Sequence, residues 1–289
     1  MRDITRVGVA GCGLMGSGIA EVCARAGLDV VVREVDDAAV TAGRARIEAS
    51  LARAVRAGKL SEQDRDAALA RIRVTTALAD LADRELVIEA ATENPAVKAA
   101  LFAELDRVAE RPDVILATNT SSIPVIQVAQ ATTRPERVVG LHFFNPVPVQ
   151  RLVEVIPSVL TAPQAVQRVT DLVTKTLGKT VIKAPDRSGF VVNALLVPFL
   201  LAAIRMLDAG YATAEDIDLG MTLGCAHPMG PLRLADLIGL DTLKAVADSM
   251  YEEYKEPLYA APPLLRRMTD AGLLGRKSGR GFYDYQAQS

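Results

Sequence analysis

The sequence predicts an α/β fold: an N-terminal domain built on a parallel sheet, followed by an all-helical C-terminal domain. Three observations predict it. The first half alternates short β-branched runs with long Ala-, Arg- and Glu-rich stretches, the pattern of βαβ units around a parallel sheet buried on both faces. Beyond about position 185 no strand-rich run recurs, while apolar residues keep returning at helical spacing. The 289 residues also sit near the length at which one hydrophobic core gives way to two.

Taken in order, the expected strands are 6–10, 29–32, 86–90, 114–117 and 138–142. Between the second and third lies a helical block over 38–72, interrupted at Gly58-Lys59-Leu60-Ser61, where Ser61 can cap the second of two projecting antiparallel helices. After the apolar run 181–184 the segment Pro185-Asp186-Arg187-Ser188-Gly189 breaks the pattern, which places the domain boundary between 1–185 and 186–289. Helical spacing then fills 190–207, 214–223, 242–254 and 264–271, with turns at Ala226-His227-Pro228-Met229-Gly230-Pro231 and Ala261-Pro262-Pro263.

Composition narrows the function classes. The 33 basic and 35 acidic side chains leave a net charge of −2, and neither sign forms a long run, so no nucleic-acid or membrane partner is expected. Cys12, Cys23 and Cys225 form no CxxC pair, which suits a reducing compartment and no thiolate metal site. The N-terminal residues enter an apolar strand without the apolar core of a secretory signal, so a cytoplasmic location is expected. The longest apolar stretch, 191–204, is broken by Asn193 and Pro198 and falls short of the roughly 20 residues a bilayer needs, so it reads as a buried core helix.

Gly11-Cys12-Gly13-Leu14-Met15-Gly16 follows the first strand and opens a helix. GxGxxG in that context is the phosphate turn of a Rossmann-like domain, where the backbone approaches a pyrophosphate at the positive end of the helix. A carboxylate about 20 residues later is needed for the ribose, and Glu34 stands at the end of the next strand. It accepts hydrogen bonds from ribose hydroxyls and repels a 2′-phosphate, which favours NAD over NADP. Arg33 argues the other way, and Asp36 is the alternative carboxylate.

Only two histidines occur, so few side chains can act as a base near neutral pH. His142, at the carboxyl end of an expected strand, is the better candidate, and His227 in a Pro-rich turn reads as structural. The blocks Asn119-Thr120-Ser121-Ser122, Gly140 through Pro148, Val153-Glu154-Val155, Ser188 through Asn193, His227 through Pro231 and Gly275 through Tyr283 together resemble the 3-hydroxyacyl-CoA dehydrogenases across essentially the whole chain. The resemblance implies that His142 is the catalytic base, Glu154 its orienting carboxylate, and Ser121 and Asn193 polar partners of the substrate oxygen. It also implies cofactor contacts by Glu93, Lys98, Asn119, Ser121, Asn145 and Lys277, beside Gly11, Gly13, Leu14, Met15, Gly16 and Glu34.

The chemistry asks for these residue types in its own right. Hydride leaves a carbinol carbon only as the hydroxyl proton leaves, so a neutral imidazole must reach that oxygen, and a carboxylate must hold the imidazole's tautomer. In a buried helix an unpaired Asn is costly, so Asn193 is expected to face a cleft between the domains. For the nucleotide end of an acyl-CoA thioester the projecting helices offer Ser50, Arg53, Arg56 and Lys59 along one side. Two other readings stay open: the same chemistry on an acyl-carrier-protein thioester, and a non-catalytic, crystallin-like NAD-binding protein. The joint presence of Ser121, His142, Glu154 and Asn193 speaks against the second. A homodimer through the apolar helical domain is expected.

Overall fold

The computed structural model describes residues 3–286. The chain divides into two compact units, Met1–Arg187 and Ser188–Ser289. Among the described residues of the first unit, eight strands form one sheet: β1 (Arg6–Ala10), β2 (Asp29–Arg33), β3 (Ile72–Thr75), β4 (Leu86–Glu89), β5 (Ile115–Thr118), β6 (Val138–Phe143), β7 (Leu152–Pro157) and β8 (Thr180–Lys183). Their order is β3-β2-β1-β4-β5-β6-β7-β8. The helices are α1 (Leu14–Arg25), α2 (Asp37–Arg56), α3 (Glu62–Ala70), α4 (Pro95–Val108), α5 (Val125–Ala129) and α6 (Pro163–Asp171).

β4, β5 and β6 are buried along their whole length and β1 along all but its first residue, as strands covered on both faces must be. The chain moves outward from β1 through β2 to β3, then returns to pair β4 on the other side of β1. That reversal leaves a crevice outside the carboxyl ends of β1 and β4, where open parallel sheets bind ligands.

Two expectations change. Ile72 opens β3 instead of closing the helical block: α3 stops at Ala70, and the β-branched residues Ile72, Val74 and Thr75 suit an edge strand. The sheet is not wholly parallel, because β7 runs antiparallel to β6. A parallel return needs a crossover of a dozen or more residues, and 144–151 is too short for one. β8 then pairs β7 in parallel.

The second unit holds α7 (Val192–Asp208), α8 (Ala214–Gly224), α9 (Pro231–Ile238), α10 (Leu240–Tyr254) and α11 (Pro263–Asp270). Leu200, Leu201, Ile204, Leu232, Leu243 and Met250 centre its own core. The short α9 is absent from the helices expected above, and its Pro231 and Gly239 mark its two ends. Buried Asp218 accepts from the N–H groups of Leu232 (2.7 Å) and Arg233 (3.0 Å) at the start of α9. Buried Asp236 accepts from those of Phe282 and Tyr283 (both 3.0 Å), which ties down the C-terminal segment. The 185–189 segment is divided between the units. Asp186 accepts from Val125 and Ile126 (2.9 Å) at the start of α5 in the first unit, whereas Ser188 N–H donates to Glu253 (2.6 Å) in the second. Among the described residues no helix is long and apolar enough to cross a membrane.

Candidate active site

The glycine turn is built for close backbone contact. Gly11 has φ +101°, and a Cβ there would lie 2.7 Å from the Ala90 carbonyl at the end of β4. A Cβ on Gly16 would lie 1.9 Å from the Gly11 carbonyl oxygen, so only glycine lets α1 start against the turn. Gly13 differs: φ is −66° and nothing stands within 4 Å of the place a Cβ would take. The half-buried Gly13 therefore borders open space at the N-terminus of α1, where a pyrophosphate would approach, with Leu14 and Met15 forming the first turn of α1 beside it. No side chain caps α1.

Glu34 accepts a hydrogen bond from the Cys12 N–H, which places its carboxylate beside the turn. The rivals are engaged elsewhere. Asp36 caps α2 by accepting from the Ala39 N–H (2.7 Å), and Arg33 reaches back to the Thr76 carbonyl (3.4 Å). These residues fit NAD. The Cys12 thiol beside them is pushed up to about 12 by burial and by the Glu34 charge, so it stays protonated and inert at neutral pH.

The antiparallel pairing of β6 with β7 sets His142 directly opposite Glu154. Facing residues in such a pair project to the same side of the sheet, within reach of one another. Nδ1 of His142 lies 2.6 Å from Oε2 of Glu154, and both side chains are buried. An ionised Glu154 only accepts, so the imidazole presents Nδ1–H to it and leaves the Nε2 lone pair outward. On that side stands Ser121 Oγ, 3.2 Å from Nε2. The Phe144 ring packs 4.6 Å from the imidazole, centroid to centroid, as an apolar wall.

Ser121 belongs to a turn after β5 and caps no helix. The Asn119 side chain accepts from the Phe143 N–H (2.9 Å), fastening this turn to the residue after His142. Oε1 of Glu93 accepts from Thr120 Oγ1 (2.6 Å) and from the N–H groups of Ser121 (2.8 Å) and Ser122 (3.2 Å). Within the first unit Ser121, His142, Glu154, Asn119 and Glu93 are thus one connected constellation at the carboxyl end of the sheet.

Family models for the NAD-binding domain and the C-terminal domain of 3-hydroxyacyl-CoA dehydrogenase match residues 6–187 and 189–285. The chain belongs to the 3-hydroxyacyl-CoA dehydrogenase family. It is 61% identical over 282 residues to a 3-hydroxybutyryl-CoA dehydrogenase of Mycobacterium tuberculosis, spanning 98% of this chain and 99% of that one. Among solved structures, FadB2 of M. tuberculosis superposes with a TM-score of 0.98 at 60% identity, over 98% of this chain and all of that one. The (S)-3-hydroxybutyryl-CoA dehydrogenase PaaH1 of Ralstonia eutropha gives 0.93 at 46% identity, over 98% and 100%.

For a 3-hydroxyacyl-CoA dehydrogenase the remaining expected residues fall into four places. Ser50, Arg53 and Arg56 lie on α2, and Lys59 lies in the turn beyond its end, exposed. Asn145 is exposed in the loop after β6. In the helical unit, Asn193 sits half-buried in the first turn of α7, and exposed Lys277 pairs with Asp241 at 2.6 Å. His227 packs its ring against Phe199 (5.4 Å) and its N–H bonds the Met221 carbonyl, a structural role. Lys98 is buried, with Nζ 2.6 Å from Glu89. Glu89 escaped the sequence reading although a signal exists: a lone carboxylate ends the otherwise apolar strand Leu86-Val87-Ile88-Glu89.

Proposed function

We propose that the protein catalyses the reversible NAD-dependent oxidation of (S)-3-hydroxybutyryl-CoA to acetoacetyl-CoA, with short acyl chains preferred. The line Ser121 Oγ to His142 Nε2, then Nδ1 to Glu154, carries this reading. In oxidation Nε2 accepts the substrate hydroxyl proton, and Glu154 stabilises the imidazolium that results. In reduction Ser121 donates to the carbonyl oxygen as charge develops on it. Bound NAD supplies the hydride acceptor. Gly11, Gly13, Gly16 and the start of α1 would hold its pyrophosphate, and Glu34 its ribose. Asn193, as a second donor to the substrate oxygen, and Asn145 and Lys277, as cofactor contacts, take their roles by family resemblance, as do Ser50 and Lys59 toward the CoA nucleotide.

The test is a set of initial rates for 3-oxoacyl-CoA esters of increasing chain length with NADH and with NADPH. We expect kcat/KM to be highest with acetoacetyl-CoA and to favour NADH by about tenfold or more, since Glu34 meets a 2′-phosphate with like charge. A long-chain optimum, or activity only on a loaded acyl carrier protein, overturns the substrate assignment. Equal use of NADPH overturns the role of Glu34.

We also propose a cytoplasmic homodimer assembled through the helical unit. The buried free thiols Cys12 and Cys23 suit a reducing compartment. Leu195, Tyr211 and Leu223 are 75%, 82% and 78% exposed, and a groove of about 400 Å³ lies between Phe199, Met206, Tyr211, Ile217 and Met221. Light scattering at micromolar concentration should give twice 30.8 kDa, and a single-chain mass overturns the dimer.

A further inference from the structure

The Glu93 carboxylate that gathers the Ser121 turn does not stand alone. Behind it, Lys98 on α4 is 1% exposed and directs Nζ to both oxygens of Glu89, at 2.8 and 2.6 Å. Glu89 is itself fully buried and also accepts from Thr118 Oγ1 (2.8 Å) at the end of β5 and from the Ala91 N–H (2.8 Å). The same ammonium lies 3.7 Å from Oε2 of Glu93. One buried cation therefore stands between two carboxylates: the inner one is locked to the sheet, and the outer one accepts from the turn that carries Ser121.

Without that cation the two facing carboxylates would repel, and nothing would draw Glu93 toward the sheet. A displaced Glu93 would lose its hydrogen bonds from Thr120, Ser121 and Ser122. We propose that Glu89 and Lys98 are positioning residues for catalysis: together they hold the Glu93 carboxylate in place, and so aim the Ser121 hydroxyl at Nε2 of His142. The family resemblance offers Lys98 as a cofactor contact, and a rise in the NADH Kd of its variants would mark that role instead. The inference rests on the reading of Ser121 and His142 as the reacting pair.

The test compares Lys98→Met, Ser121→Ala and their double variant, measuring kcat with acetoacetyl-CoA and the Kd of NADH by fluorescence titration of the full-length protein. Lys98→Met leaves Glu89 buried and unpaired and threatens folding. Glu89→Gln/Lys98→Met, which removes both charges and keeps shape, is therefore measured beside it. We expect either variant to lower kcat roughly tenfold to a hundredfold, somewhat less than removal of a whole oxyanion donor, with NADH Kd changed by less than about threefold. In the Ser121→Ala background the same replacement should cost less than about threefold more, because the hydroxyl it positions is gone. The inference is overturned if NADH Kd rises as much as kcat falls, if the kcat losses multiply, or if Glu89→Gln/Lys98→Met keeps wild-type kcat. If Ser121→Ala alone leaves kcat unchanged, the active-site reading falls, and this inference with it.

Discussion

His142→Ala should lower kcat by roughly a hundredfold to ten-thousandfold, the usual worth of a positioned proton transfer, while NADH binding survives. The imidazole lies 2.6 Å from Glu154 on one side and 3.2 Å from Ser121 on the other, so its loss removes the base and leaves the glycine turn untouched. Glu154→Gln keeps the shape of the partner but offers an amide where the imidazolium needs a negative charge. It should depress kcat by roughly tenfold to a thousandfold, the direction expected when the orienting carboxylate of a base is neutralised. Because the two residues form one device, the double variant should lose far less than the product of the singles. Steady-state kinetics paired with NADH titration decides the matter. Near wild-type turnover in a folded, NADH-binding His142→Ala protein would sink the assignment, and so would multiplicative losses.

The second large effect lies in the glycine turn, where two neighbouring glycines should behave in opposite ways. In Gly16→Ala the new methyl would stand 1.9 Å from a backbone carbonyl, which no side-chain rotation relieves. The start of α1 must move, at a cost of about 3 kcal/mol or more. An apparent Tm lower by roughly 6–12 °C should follow, together with loss of NADH binding. In Gly13→Ala the methyl meets nothing of the protein within 4 Å, and φ of −66° suits any residue. The melting curve should therefore stay within about 2 °C of wild type, as for an unstrained surface change. The methyl occupies the space the pyrophosphate must approach, so NADH Kd should rise by roughly tenfold or more. Melting curves and NADH titrations on both variants provide the check. Unchanged NADH affinity in Gly13→Ala would mean that the dinucleotide is not held at this turn.

Much of this was legible in the order of residues, because the features concerned are local. A strand, a GxGxxG turn, a helix start and a following acidic strand end obey short-range steric and hydrogen-bonding rules, so Gly11 through Gly16 and Glu34 could be placed without tertiary information. His142 stood out because only one other histidine competes with it and a strand end carries it. Ser121 and Glu154 entered through family resemblance, since nothing local separates a Ser in a turn or a Glu in a strand from an ordinary solvated one.

The sequence by itself determined the βαβ alternation, the all-helical C-terminal unit and the chemistry of the phosphate turn, since each follows from periodicity or from the backbone freedom of particular residues. Only the tertiary structure decided that β7 runs antiparallel and sets Glu154 against His142, because strand direction depends on whether the connection is long enough to cross over. Only the tertiary structure showed that Lys98, on a helix of ordinary amphipathic pattern, is buried between Glu89 and Glu93. Burial and pairing of a charge belong to the packing of distant segments, and no spacing along the chain encodes them.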